Sequence, residues 1–376
     1  MIDSETVLAD VLKLSISRDV LAEQLGVVAR AVSARATVLV LGGVRLTVAD
    51  GGVELAATDM ELSLRASVEA EIEGPGEVVV PGRLLLDIVR SLPDTDVEIE
   101  QRRDESILVI TSGAASYRVH TYAAEDFPRL PEIESLELHS LDREALLGTI
   151  ARVSRSASRD ESRPVLTGIL VRFESGKLVM AATDSYRLAV KETPSNAVVP
   201  DLEAIIPARA LQELARIGAS ADEVQLGIQE NHVVFGVDGV WLTTRRIDGQ
   251  FPNYRQLLPD QFEHELELPR DELLDVVRRV SLMAQRNSPL RLRFGDGELV
   301  VSAVTHDVGE ARESLPAAYS ADPLEIGFNA EFLRDGLESV DSATVRVKLI
   351  SPLRPAVLMG ESDDYTYLIM PIRLAG

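Results

Sequence analysis

The chain has 376 residues, with 61 Asp and Glu against 38 Lys and Arg for a formal charge of −23, 45% hydrophobic residues and no cysteine. No disulfide scaffold or thiolate metal centre is possible, and without an apolar run of 18 residues no membrane-spanning helix is expected. As a sum the charge argues against a polyanionic partner, so a nucleic-acid reading must find basic residues collected in one place.

In chain order, a short leader over residues 1–13 carries acids where a secretory signal would carry bases; with the lack of cysteine this predicts a cytoplasmic protein. Leu21, Leu25, Val28 and Val32 predict a helix opening at Asp19. A turn at Asp50-Gly51-Gly52 then leads into a strand ending Thr58-Asp59, and a second helix opens at Pro81 with Leu84, Leu85 and Ile88 on its apolar side. Ser116–His120 runs as a strand into Phe127-Pro128.

That order then repeats. A helix from Asp142 (Leu146, Ile150, Val153) precedes a turn at Ser175-Gly176-Lys177, the strand to Thr183-Asp184, a helix from Pro207 (Leu211, Leu214) and Val240–Thr244 running into Phe251-Pro252. It returns a third time with Asp271 (Leu274, Val277, Ser281), Asp296-Gly297-Glu298, Thr305, Asn329 (Phe332, Leu333) and the closing Tyr365–Pro371. Thr58, Thr183 and Thr305 stand 125 and 122 residues apart; Pro81, Pro207 and Asn329 stand 126 and 122 apart. A period that long matches whole domains rather than solenoid units. The expected fold is α+β: three similar domains, each with two helices against antiparallel sheets, over residues 1–136, 137–262 and 263–376. Residues 128–138 and 252–268 are candidate linkers that can pair as extended strands.

The bases collect on the predicted helices. Arg152, Arg155 and Arg159 follow Asp142 at helical spacing, with Arg163 beyond; Arg83 and Arg90 recur as Arg209 and Arg216, each 126 residues later; Arg30 and Arg35 mark the first helix, and Arg278, Arg279 and Arg286 the fifth. Acids concentrate in strands and loops such as Glu69–Glu73 and Glu263–Glu267. Singly each arginine reads as a solvated side chain balancing nearby acids. Together they read as helices facing an anion, with phosphate contacts indifferent to base sequence. The sixth helix breaks the pattern with Glu331 and Glu338. Aromatics are too few for stacking on single strands, so duplex is the expected form.

No phosphate loop, dinucleotide fingerprint, nucleophile elbow or H-E-x-x-H occurs, and the five histidines (His120, His139, His232, His264, His306) sit singly, so neither metal nor cofactor is expected. The repeated Thr-Asp alone could do acid-base work, with Asp59 and Asp184 as carboxylates of a hydrolase. Its plainer reading is a turn in which Asp accepts backbone N–H bonds.

T-D-S-Y-R-L-A-V at 183–190, D-G-Q-F-P-N-Y-R-Q-L-L-P at 248–259, I-G-F-N at 326–329 and Y-L-I-M-P-I-R-L at 367–374, with the triplication, resemble the bacterial DNA sliding clamps, the β subunits of replicative polymerase holoenzymes. The similarity covers the chain from about Leu14 to Leu374. It implies two chains closing head to tail into a six-domain ring, with helices lining the hole, that slides on duplex DNA as a non-catalytic processivity factor. It also implies a pocket between the second and third domains for short linear motifs of polymerases, the clamp loader and repair proteins. Carried over, that pocket uses Leu166, Thr183, Ser185, Tyr186, Arg187, Leu188, Pro252, Gln256, Leu257, Leu368, Met370, Pro371 and Ile372. Ser185-Tyr186 and Gln256 stand where many members have Gly-His and arginine, so peptide preference and inhibitor sensitivity are expected to differ. For self-association the resemblance implies Leu282 and Met283 of one chain meeting the Tyr117–Val119 edge of its partner. A specialised, inhibitor-tolerant second clamp is the alternative to the housekeeping copy.

Overall fold

The computed structural model describes residues 12–33, 38–49, 52–93, 95–133, 135–200, 202–284, 288–305 and 307–374. Arg35, Arg286 and His306 lie outside the described residues, as do Asp50 and Gly51. Among those described there are seven α-helices: α1 Arg18–Val28, α2 Gly82–Ser91, α3 Arg143–Val153, α4 Pro164–Thr167, α5 Ala208–Ile217, α6 Arg270–Ser281 and α7 Ala330–Ser339. Six are those expected from the repeat; the single turn α4 had no periodic signal. No described helix is long and apolar enough to cross a membrane.

The longer helices form on apolar faces, and α3 and α7 are also opened by a side-chain cap. In α1, Leu21, Leu25 and Val28 are buried at spacings of four and three, each contributing on the order of 2 kcal/mol of burial. Asp142 opens α3 by accepting from Ala145 N at 2.7 Å, and Asn329 opens α7 by accepting from Phe332 N at 3.1 Å; such caps are worth about 1 kcal/mol. Three expectations need correction. Leu84 is exposed rather than core. Val280, not Ser281, carries the buried face of α6. Helix α3 stops at Val153, leaving Arg155 in a 3-10 turn and Arg159 past it, because Ser154 and Ser156 turn inward and are themselves buried.

The chain divides into two compact units, the first formed by the residues up to Leu141 with Arg216–Arg245, the second by Asp142–Ala215 with those from Arg246 on. The strand pairings whose register is defined among the described residues are antiparallel. The first unit holds a five-stranded sheet, which ends on Ala115–His120, and an eight-stranded sheet. The second holds another eight-stranded sheet and a four-stranded one, which ends on Gly309–Pro316. Strands Leu138–Asp142 and His264–Pro269 lie at one edge of each eight-stranded sheet; the expected linker 128–138 reaches the first only at Leu138, and 252–268 overlaps the second only from His264.

Each eight-stranded sheet joins two repeats by the same pair of elements. Val240–Arg245 of the second repeat pairs with Leu62–Val68 of the first, and Tyr365–Ile369 of the third pairs with Arg187–Pro194 of the second. The register repeats too: Thr243 faces Ser63 as Leu368 faces Leu188. Beyond each pair one more bond follows, Arg245 N to Glu61 O at 3.0 Å and Met370 N to Tyr186 O at 2.9 Å.

Candidate partner pocket and basic surfaces

The repeated Thr-Asp is a turn, built identically twice. Thr58 Oγ1 donates to Leu62 O at 3.1 Å and accepts from Met60 N at 3.0 Å, while Asp59 Oδ1 accepts from Glu61 N and Leu62 N at 3.1 and 2.9 Å. Thr183 Oγ1 donates to Arg187 O at 2.7 Å and accepts from Ser185 N at 3.2 Å, and Asp184 Oδ1 accepts from Tyr186 N and Arg187 N at 2.9 and 3.1 Å. Met60 and Ser185 both take left-handed backbone, φ 79° and 80°. In the third copy Thr305 Oγ1 instead donates to Met283 O at 2.6 Å, tying the strand to the segment after α6. With their carboxylates committed to backbone N–H groups, Asp59 and Asp184 are turn residues and offer a hydrolase nothing.

Arg187, 5% exposed, is the main charged group of the second turn. Its Nε donates to Asp184 Oδ2 at 3.0 Å, Nη1 to Asp335 Oδ2 at 2.6 Å and Nη2 to Arg155 O at 2.5 Å, and its guanidinium lies 4.3 Å from the Phe332 ring centre. Burial alone lowers its pKa, but Tyr367, Asp335 and Asp184 outweigh burial and hold it above the ordinary arginine value. A charge among R-L-A-V must find a buried acid, so the sequence signals that a partner exists. It does not identify Asp335, 148 residues away.

Around this turn the expected pocket residues separate into a floor and a lip. Leu188 and Leu368 are core, packed with Leu170, Ile205, Phe251 and Tyr254. Val165 of α4, Ile247, Leu258 and Met359 lie against the same cluster. Tyr186 (61% exposed), Leu257 (52%), Met370 and Ile372 stand exposed. Leu166 and Pro371 are half-buried, whereas Ser185, Pro252 and Gln256 are exposed and Thr183 is buried. Arg163 Nη1 donates to Ser185 Oγ at 3.1 Å, holding α4 to the turn. Gly249, at φ +127°, lets its loop approach α4, since a Cβ there would lie 2.8 Å from Val165 Cγ2. Phe251, Tyr254, Val165 and Ile247 were missed from the sequence; Phe251 and Tyr254 lay inside the quoted motif, but nothing local showed they turn inward.

The same backbone at the junction of the first two repeats carries different chemistry. Where Leu188 and Leu368 face each other, Ser63 faces Thr243; where Met370 bonds to Tyr186, Arg245 bonds to Glu61. An apolar floor is therefore present at one junction and replaced by hydroxyls and charge at the other.

The arginines do not share one environment. Arg152 donates to Ser339 O at 2.6 Å and Asp341 Oδ2 at 2.7 Å. Arg155 pairs with Glu338 and lies 3.7 Å from Asp335, and Arg278 donates to Glu338 Oε1 at 2.9 Å. Arg159, almost fully exposed, lies 3.9 Å from Glu331, and Arg279 makes a bidentate pair with Glu313. Glu331 and Glu338, anomalous in the sequence, are thus counter-charges to arginines of the neighbouring elements. Glu338, which burial alone would push up, is held below the usual carboxylate range by Arg155 and Arg278. Arg163 pairs with Asp160. Arg30, Arg83, Arg90, Arg209 and Arg216 are exposed, the last four on α2 and α5.

Of the expected self-association residues, Tyr117 and Val119 lie on an edge strand, and Leu282 and Met283 directly after α6. Tyr117 is exposed on the edge strand, whereas Val119, two residues on and therefore on the same face, is buried. Leu282, 80% exposed, belongs to no buried face of its helix, and Met283 is half-buried.

Three family models match in tandem: DNA polymerase III beta subunit N-terminal domain over residues 12–131, central domain over 140–253 and C-terminal domain over 255–373. The chain is 37% identical to the beta sliding clamp of Streptomyces coelicolor, covering 97% of this chain and all of that one. It is 32% identical to the beta sliding clamp homolog GriR of Streptomyces muensis, covering 96% and 99%. The crystal structure of the DNA polymerase sliding clamp from Bacillus subtilis superposes with a TM-score of 0.91 at 28% identity, covering 97% of this chain and all of that one. With three domains matched in order along nearly its whole length, the chain belongs to the DNA polymerase III beta subunit family, the beta sliding clamps.

Proposed function

We propose that the chain, a non-catalytic processivity clamp by family, works as a homodimeric ring that encircles duplex DNA and tethers its partners through the Tyr186–Met370 pocket. The observation that carries the ring is the strand offset. Ala115–His120, Val240–Arg245 and Tyr365–Ile369 are counterparts 125 residues apart, and Leu62–Val68, Arg187–Pro194 and Gly309–Pro316 begin 125 and 122 apart. Within the chain the first kind of strand always pairs with the second kind in the preceding repeat. Ala115–His120 and Gly309–Pro316 have no such partner among the described strands; each ends its sheet. A second copy supplies both, head to tail, and extends a sheet across the boundary at Tyr117 and Leu282.

A closed ring needs only weak phosphate contacts. Arg30, Arg83, Arg90, Arg209 and Arg216, with Arg159 and Arg163, suit that role, and their contacts weaken steeply with salt. The acids elsewhere repel DNA from other faces. The pocket's apolar floor and exposed Tyr186, Leu257 and Met370 suit a peptide with Leu and Phe anchors. Such peptides come from the polymerase catalytic subunit, the clamp loader and repair proteins. Residues 1–136, 137–262 and 263–376 serve as the three domains.

Light scattering with negative-stain imaging tests the ring: a mass of two chains and a central hole are expected, and a monomer without a hole at micromolar concentration contradicts it. A specialised second clamp is the other reading; viability of a deletion strain would favour it.

A further inference from the structure

Resting on that reading, we propose that the peptide pocket and the DNA-facing arginines are coupled through one shared side chain, Arg155, so that duplex and peptide each strengthen binding of the other. An unbroken line of opposite charges joins the two sites. Asp184, which fixes the Ser185-Tyr186 turn, pairs with Arg187; Arg187 pairs with Asp335; Asp335 lies 3.7 Å from Arg155; Arg155 and Arg278 share Glu338. At one end Arg187 is paired along the backbone with Ile369, directly before Met370, so its position sets both walls of the pocket. At the other end Arg155 and Arg278 have half-exposed side chains on which a phosphate can land.

Asp335 is the point of competition. It serves a buried arginine at 2.6 Å and a half-exposed one at 3.7 Å, so the second pairing is the weaker and yields first. A phosphate that draws Arg155 toward solvent leaves Asp335 to Arg187 alone, which tightens the pair holding the turn against the strand. Conversely, a peptide seated on Tyr186 and Met370 steadies Arg187 on Asp335 and releases Arg155 toward the phosphate. Linkage requires the two effects to be equal in size. The two discrete arrangements of Arg155, on the acids or on the phosphate, are the bistable element such coupling needs.

The test uses the full-length ring, a fluorescein-labelled synthetic decapeptide ending Leu-Phe, and a 30-base-pair duplex. Peptide Kd is read by anisotropy without duplex and at saturating duplex, in the native protein and in Glu338→Gln. This near-isosteric change removes the acid that holds Arg155 back, and an unchanged circular-dichroism spectrum and ring mass check its fold. The native ring is expected to bind peptide about five-fold tighter with duplex, the lower end of ordinary coupling. In Glu338→Gln the ratio should fall toward one, because Arg155 is already released, with peptide binding tightened in the absence of duplex. An unchanged native affinity with both ligands bound overturns the coupling and leaves the clamp reading intact; so does the same ratio in native protein and variant. Failure of either ligand to bind at all overturns the reading beneath it and the coupling together.

Discussion

Arg187 is a buried charge held by Asp184, Asp335 and the Arg155 carbonyl. Replacing it by methionine would strand Asp184 and Asp335, both largely buried, and breaking such a pair costs about 3 to 5 kcal/mol. Thermal unfolding of Arg187→Met should show that loss; a melting temperature within a degree or two of native would mean that water already screens the acids. Glu338 gives the pH dependence. Its folded pKa lies below the ordinary glutamate value, so its contribution is fully present above that value and is lost as pH falls through the folded one. The same sign holds for Asp364, where burial raises the pKa but Lys191 lowers it further, below 3.8. Melting temperature should therefore drop on acidification below about pH 4.5, less steeply in Glu338→Gln than in the native protein. Gly249 offers a separate test of the pocket. An alanine there meets a positive φ and Val165 together, strain of about 1 to 3 kcal/mol. Gly249→Ala should weaken decapeptide binding about five-fold or more, a loss of some 1 kcal/mol, with ring mass unchanged; undiminished affinity would detach the 248–252 loop from the site.

At the scale of elements, the helices and turns were legible because each carries a local pattern: Leu21, Leu25 and Val28 at helical spacing, Pro81 and Asn329 at helix openings, Gly-rich turn tips. What could not be read was anything set by distant packing. Arg152, Arg155 and Arg159 looked like one helical face, yet the buried serines end α3 before two of them. Leu188, Leu257 and Leu368 look alike as letters, but two are floor and one is lip: Leu188 and Leu368 face each other across a pairing between repeats, whereas Leu257 ends a 3-10 turn and is exposed. The paired edges follow the same logic. Ala115–His120 and Gly309–Pro316 are recognisable as unpaired only once the register between repeats is known. Leu282→Asp places a charge on the exposed side chain beside that boundary and should convert the ring to monomers, with no loss of melting temperature in the separated chain. A dimer of native mass at nanomolar concentration would move the interface elsewhere.

For the whole molecule, triplication was the most readable feature, since three independent landmarks keep nearly one spacing across 376 residues. The net charge of −23 was the most misleading, because a sum says nothing of where arginines and acids sit. A ring that holds its track by surrounding it needs neither sequence-specific contacts nor a favourable total charge, and that topology is the central claim. The most direct measurement loads the labelled protein onto nicked circular plasmid with its clamp loader, cuts half the sample once with a restriction enzyme, and follows release by gel filtration. Encirclement predicts retention on circles and rapid loss from the free ends of the linear form. Equal retention on both would contradict it.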